Sequence, residues 1–456
     1  MITFTGALVI LLLGYLFYGA FVERIFGAKA DAAMPCDTKR DGVDYMPLPT
    51  WRVFLIQFLN IAGTGPIFGA IMGILFGPIA YVWIVFGCIF AGAVHDYLCG
   101  MISVRKGGAS LPEIVGDELG GVMRQAMRVL SLVLLVMVGT VFVITPAALL
   151  NSLVPSQGWW FSTNFWVTII FAYFILATLL PIDKVIGRAY PVFGLALLLM
   201  AVGVGVCIFV MPGHTPEITE GFLVNHNPAN HHPFSVPIFP MVCVTIACGA
   251  ISGFHATQSP LMSRCLKNER YGRPIFYGAM IMEGVVAMIW AAASIKFADT
   301  LPGQGSAYFK LMSMGNPSVV VRTICTHWLG TAGAVLAVLG VVAAPITSGD
   351  TAFRSARLIA ADFLHMRQHT FLRRIILSLP LFVIASFVMM MDFYALWRYF
   401  AWTNQTMAMI MLWTATVWLY RKGKCFWIAL IPAVFMTVVS VLYILVAPEG
   451  FHLNIL

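Results

Sequence analysis

Apolar runs of about 20 residues recur along the chain with short polar connections between them. This is the pattern of helices crossing a hydrocarbon layer ~30 Å thick. About twelve are legible, at roughly 2–22, 51–76, 78–102, 126–150, 160–181, 189–211, 237–260, 274–295, 327–351, 373–391, 393–419 and 425–447. The connections are too short to fold as a separate soluble domain.

Two of the runs carry helix breakers. "NIAGTGPIFG" (60–69) sets Gly63, Thr64, Gly65 and Pro66 after Asn60, and "CGAISGFHATQSP" (248–260) holds Gly249, Ser252, Gly253, His255, Thr257 and Gln258. Backbone N–H and C=O groups released by a break cost several kcal/mol each against lipid, so they must face protein, water or a ligand. Pro66 suits the first turn of a new half-helix, where its missing N–H is no loss. The N-terminus of that half-helix suits a carboxylate, and the C-terminal end before the break a cation. Close helix packing is the competing reading of either motif alone. Their matched placement favours a site, because each break opens a set of five runs, 51–212 and 237–420. Five crossings are an odd number, so the second set runs inverted relative to the first, the layout of inverted-repeat transporters. An N-terminal helix and loop (1–50), a connecting loop (213–236) and a C-terminal helix and tail (421–456) complete the expected organisation.

Composition agrees with a membrane protein. Of 456 residues, 60% are hydrophobic and 10% charged, and the mean hydropathy is +0.89; soluble domains carry about 25% charged residues. The net charge of +8 follows from topology. If the first run starts outside, the inner connections hold all 27 Lys and Arg except Lys296, Lys310, Arg322 and Arg398, as the positive-inside rule requires. Both termini are then expected outside, and the charge gives no reason to invoke a nucleic-acid partner. The first run has no basic residue before it, since Glu23, Arg24 and Lys29 follow it; an uncleaved helix is expected rather than a secretory signal.

Nine cysteines include no CxxC pair and fall mostly within apolar runs, so free thiols serving as packing residues are expected. The connection 213–233 holds four histidines, two glutamates and no Lys or Arg. Its spacing matches no zinc pattern, and a solvated loop is expected, with metal binding left open. The connector 299–325, broken by "GNP", is expected to lie over the outer mouth as a lid, and "SLPE" (110–113) to open a short helix through a capping box.

Four blocks carry a family resemblance: "DGVDYMPLPTWRVFLIQFLNIAGTGPIFGAI" (41–71), "AGAVHDYLCGMISVRKGGASLPEIVG" (91–116), "TIACGAISGFHATQ" (245–258) and "ITSGDTAFRSAR" (346–357). They resemble the carbon starvation protein A (CstA) family of bacterial inner-membrane transporters, from the first run to about residue 360. The resemblance implies uptake of peptides or, in some members, pyruvate, driven by protons, at the bacterial inner membrane. It implies the all-α, LeuT/APC-like five-plus-five inverted repeat with discontinuous helices. "HATQSPLMSRCLKNERYG" (255–272) departs from the family pattern, which leaves substrate choice open among peptides, short carboxylates and amino acids.

Ionisable residues inside the runs cost about 2.5–3.5 kcal/mol each at a helix centre and mark candidate sites. Glu283 lies nine residues into its run, about 13 Å along the helix, too deep to reach the surface. Burial favours the neutral form of a carboxyl, so Glu283 is a candidate proton carrier, against a structural acid bonded to a neighbouring helix. His95 and Asp96 could relay protons, yet adjacent helix residues point about 100° apart, and the expected partner of Asp96 is a loop arginine. His255 is a candidate titratable or substrate-contacting imidazole. By analogy with the fold that the resemblance implies, Thr347, Ser348 and Asp350 would lie beside the first break, where relatives hold sodium; an Asp350–Arg354 pair at i, i+4 is the alternative.

The sequence has no HExxH, GxSxG or GxxxxGK[ST] motif, which argues against an embedded hydrolase and an ATP-driven pump. The expectation is a secondary transporter that binds a small molecule between the breaks. Asn60, Gly63, Thr64, Gly65 and Pro66 face Gly249, Ser252, Gly253, His255, Thr257 and Gln258, with H⁺ or Na⁺ as coupling ion and no cofactor. A sodium-coupled amino-acid transporter and a nutrient sensor remain as alternatives, and the oligomeric state stays open.

Overall fold

The computed structural model describes residues 1–41, 45–154, 157–179, 186–221, 223–226, 237–366 and 371–453 and, for 186–191, 343, 344 and 347, the backbone alone. The fold is helical: among the described residues the only strand-like feature is an isolated bridge between Gln157 and Trp160. Eight of the described helices are long and apolar enough to cross a membrane, from Ile2–Phe26 to Trp427–Val446. A ninth span results if Thr50–Ile61 and Gly65–Phe76, inclined at 44°, are taken as one broken helix.

The remaining long helices miss that standard for a reason that bears on function. Phe393–Arg421 buries Thr403, Asn404, Gln405, Thr414 and Thr416, and Ala343–Phe363 carries Ser348, Asp350, Arg354 and Arg357. These helices are less apolar because they supply the interior with polar groups. Polar residues in a membrane protein turn away from lipid, where unpaired groups are expensive.

Two boundaries differ from those expected. The run at 327–351 is not one helix: Gly330, at φ 61°, kinks Pro317–Ala337, and the chain passes through a π-helical stretch, Val338–Val342, into Ala343–Phe363. Only glycine takes such a φ without steric penalty. In the second broken helix the chain is helical again from Gly253 to Ser263, so the unwound stretch is 246–252, and His255, Thr257 and Gln258 lie on the half-helix after it. The connector 299–325 contains the short helix Ala307–Ser313, capped by Ser306, and the start of Pro317–Ala337, capped by Asn316. The capping box at Ser110 and Glu113 opens Leu111–Leu119.

Polar contacts between connections gather at two ends of the molecule. At the basic end Arg105 donates to both oxygens of Glu269 at 3.0 Å and to the Gly27 carbonyl, while Lys106 and Arg421 meet Glu118 at 2.8 and 2.9 Å. At the opposite end the Thr3 amide donates to Glu217 (2.8 Å), the His214 amide to Asp299 (2.9 Å), and Arg398 pairs with Glu449 (2.9 Å). Lys296 joins this end by donating to the Gly213 carbonyl at 2.6 Å. Among the described residues no cysteine forms a disulfide; eight of the nine are buried and Cys425 is exposed.

Candidate functional site

The site begins with the backbone groups the two breaks release. In the first break the Ala62 amide still bonds the Phe58 carbonyl (2.7 Å) and the Gly63 amide that of Ile61 (3.0 Å), while the Leu59 carbonyl accepts from the Ser348 hydroxyl (3.1 Å). In the second, the Cys243 carbonyl accepts from Gln405 Nε2 (3.0 Å) and the Ile246 carbonyl from Trp83 Nε1 (3.2 Å). Asn404 Oδ1 accepts from the Ser252 hydroxyl (3.1 Å) and the Phe254 amide (2.7 Å), capping the half-helix that starts at Gly253. Side chains of neighbouring helices thus replace the lost helical partners, the condition for irregular backbone at membrane depth.

The breaks touch. A Cβ added to Gly65 would stand 2.5 Å from both Cβ and Sγ of Cys248, so glycine is what lets the first half-helix meet the second break. From the other side a Cβ on Gly92 would fall on the Ala250 carbonyl. Thr64 precedes Gly65–Gly73 without capping it. Its hydroxyl, together with Oε1 of Gln57 and of Gln258, is buried with no hydrogen-bond partner among the described residues. Such orphaned groups cost about 1–3 kcal/mol each unless something else satisfies them.

Four ionisable side chains line up beside the second break. Asp96 Oδ1 lies 2.8 Å from His95 Nδ1, Asp96 Oδ2 lies 2.8 Å from His255 Nδ1, and His255 Nε2 lies 3.3 Å from Glu283 Oε2. All four side chains are fully buried. The expected loop arginine for Asp96 is therefore replaced by two imidazoles. The side chain turns into the bundle, where Gly253–Ser263 packs against Ala93–Arg105, and the adjacent ring of His95 folds back far enough to reach it.

The other candidates lie as follows. Asn60, Thr64, Ser252, Thr257 and Gln258 are all buried at the breaks. Thr257 donates to the Phe254 carbonyl (2.7 Å), and Gln258 Nε2 to the Thr257 hydroxyl (3.0 Å). Asp350 faces Arg354 at 3.6 Å, the i, i+4 pair, while Ser348 reaches the first broken helix; the Thr347 side chain lies outside the described residues. In the 213–233 loop, His214 pairs with Glu220 (2.8 Å) and His226 stacks on Tyr308 at 4.4 Å; His231 and His232 lie outside the described residues. No group of three or more His, Cys, Asp or Glu side chains placed to hold a metal ion together occurs among the described residues.

A cavity of about 400 Å³ opens on the side of the breaks away from the basic end. Its walls include Ile71, Met72, Met241, Thr245, Leu311 and Trp397, so the Gly65–Gly73 and Ile238–Thr245 half-helices and the connector all contribute to it. Sequence reading missed Asn404, Gln405, Gln57 and Trp83. The adjacent amides in "AWTNQTMAM" (401–409) are a legible signal, a polar pair in the middle of a membrane-length run. Gln57 and Trp83 carry no comparable signal.

Residues 1–160 and 143–301 match the family model described as carbon starvation protein CstA. The chain belongs to the CstA family. Its relatives there include a membrane protein of Haemophilus influenzae, 42% identical over 71% of this chain and 98% of its own length. A peptide transporter CstA of Campylobacter jejuni is 26% identical over 62% of this chain and 48% of its own. The pyruvate/proton symporter BtsT of Escherichia coli is 28% identical over 62% and 47%. This CstA-family chain thus spans about half the length of those two named transporters. Among solved structures, a manganese transporter of Eremococcus coleocola in complex with an aromatic bis-isothiourea compound shares the fold. Its TM-score is 0.56, at 12% identity, over 89% of this chain and 90% of that one.

Proposed function

We propose that this chain is a secondary active transporter that imports a small organic nutrient, a peptide or a short carboxylate such as pyruvate, together with protons by alternating access. The observation that carries the reading is the meeting of two broken helices at Gly65 and Cys248 beside the buried His95–Asp96–His255–Glu283 chain. In this reading the substrate enters through the outer cavity and binds at the breaks. Its negative group meets the uncapped N-terminus at Thr64 and Gly65, where amide donors and the helix dipole favour an anion. The orphaned oxygens of Thr64, Gln57 and Gln258 supply the remaining polar contacts. The contact between the breaks is then the occluded state, and its parting toward one end or the other is the transport step.

The reading includes twelve crossings, a five-plus-five inverted repeat at 51–212 and 237–420, and a bacterial inner-membrane location with both termini outside. The gathering of basic connections at one end supports it, as does the family's naming among transporters. The test is uptake into proteoliposomes of radiolabelled pyruvate and of dialanine, each under an inward proton gradient, an inward sodium gradient and none. Proton-driven accumulation of one of them is expected. Sodium-driven accumulation would replace the coupling ion, and absence of both, in protein that binds neither compound in a thermal-shift assay, would remove the transport reading.

A further inference from the structure

We propose that the coupled proton is held between His255 and Glu283, with Asp96 as the positioning residue that aims the imidazole; the proposal rests on the transport reading above. His255 is the third residue of Gly253–Ser263, the half-helix that restarts after the second break. Asp96 and Glu283 sit on the spans Ile79–Arg105 and Glu269–Asp299. The bridging ring is therefore carried by a hinged element, and its two acidic partners by continuous ones.

The chemistry of the contacts fixes the proton's place. An ionised carboxylate only accepts hydrogen bonds. Asp96, 2.8 Å from Nδ1 of both His95 and His255, therefore sets both rings as Nδ1–H donors. Nε2 of His255 is left with a lone pair 3.3 Å from Glu283 Oε2, and neither it nor either Glu283 oxygen has a hydrogen-bond partner among the described residues. One proton fits that gap, on Glu283 as a carboxylic acid that donates to Nε2, which leaves Asp96 as the only charged member of the buried set. With it the four groups carry a net charge of −1; without it two carboxylates flank one neutral ring, at −2, in a fully buried setting where unpaired charge is strongly disfavoured. Among the described residues, the other titratable groups facing the cluster are the thiols of Cys88, Cys99 and Cys248, which add no cation. Release therefore requires a path to water, which movement of the half-helix provides.

Depth supports storage rather than conduction. At 1.5 Å per residue, His95 is about 15 Å from Arg105, His255 about 12 Å from Ser263 and Glu283 about 15 Å from Arg273. The chain lies across the membrane plane near its middle and does not by itself connect the two sides. A proton placed there moves only when the break moves, as coupling without leakage demands.

Two measurements on the purified protein in lipid test this without any substrate. In ¹⁵N NMR of labelled histidine, His95 and His255 are both expected as Nδ1–H tautomers. Asp96→Asn offers one acceptor and one donor, so one of the two rings must switch to Nε2–H, a change that a merely structural role for Asp96 would not produce. In infrared spectra, the C=O stretch of a buried protonated carboxyl is expected at neutral pH, absent in Glu283→Gln and kept in Asp96→Asn. Nε2–H tautomers in the wild-type protein, or a carboxyl band unchanged in Glu283→Gln, overturn the assignment while leaving the transport reading intact. Where uptake of pyruvate or dialanine has been established, one pH unit drives about tenfold accumulation for one proton per substrate. With the membrane potential clamped, Glu283→Gln should lose that accumulation and keep substrate exchange; full accumulation in this variant would equally refute it.

Discussion

Gly65 shows how much of the site rests on the absence of a side chain. The half-helix beginning there approaches the second break so closely that a methyl group would overlap Cβ and Sγ of Cys248. Both atoms belong to a short side chain in a packed interior, so neither can swing aside. Gly65→Ala should therefore destabilise this close arrangement by about 1–3 kcal/mol, the usual penalty of overpacking, and lower the thermal midpoint in detergent. Cys248→Gly removes both obstructing atoms, so the double variant should recover much of the loss. That non-additive rescue is the mark of two residues in direct contact. If the two substitutions lower the midpoint independently, the breaks are not in contact under those conditions. A leucine at 65 would test something else, since its bulk would disrupt the interior before any effect on binding could be read.

At the scale of elements, the connector 299–325, expected as a lid, carries the short helix Ala307–Ser313, which places Leu311 in the cavity wall. The hold on that helix was not legible: His226, from the histidine-bearing loop, lies flat on Tyr308, with rings 9° from parallel. Partial burial holds the His226 imidazole below its ordinary pKa, Glu220 opposing more weakly. A ring whose pKa is depressed on docking binds its proton better when undocked. The docking free energy is then complete above the ordinary imidazole pKa of about 6.5 and declines as the pH falls below it. Hydrogen exchange of 307–313 should accordingly quicken between about pH 7.5 and pH 5.5, after correction for the intrinsic rate, and His226→Phe should abolish the difference. An identical pH response in that variant would assign the effect to another group. The breaks themselves were legible because Gly63, Gly65 and Pro66, and Gly249, Ser252 and Gly253, cluster helix-breaking residues at matched places in two membrane-length runs. Asp96 was misassigned because a sequence shows which residues neighbour it along the chain, not that His255, 159 positions away, packs against it.

For the whole molecule, the alternation of basic and non-basic connections is the main evidence for how the chain is threaded. The contacts bear on it directly, since Arg105, Lys106, Arg421 and Lys424 engage Gly27, Glu118, Glu269 and Phe26 at one end, while Lys296 and Arg398 engage Gly213 and Glu449 at the other. Which end faces the cytoplasm rests on the positive-inside rule alone. Cys425 offers a way to ask, because it sits beside Lys424 at the basic end and is the one exposed thiol of nine. A membrane-impermeant maleimide added to intact spheroplasts should leave the protein unlabelled, then modify one thiol per chain once the membrane is permeabilised. Cys425→Ser should remove that label, with the eight buried thiols serving as an internal control on folding. Labelling of Cys425 from outside before permeabilisation would turn the molecule over. The cavity lined by Leu311 and Trp397 would then open toward the cytoplasm, and the entrance assigned to the substrate would change sides.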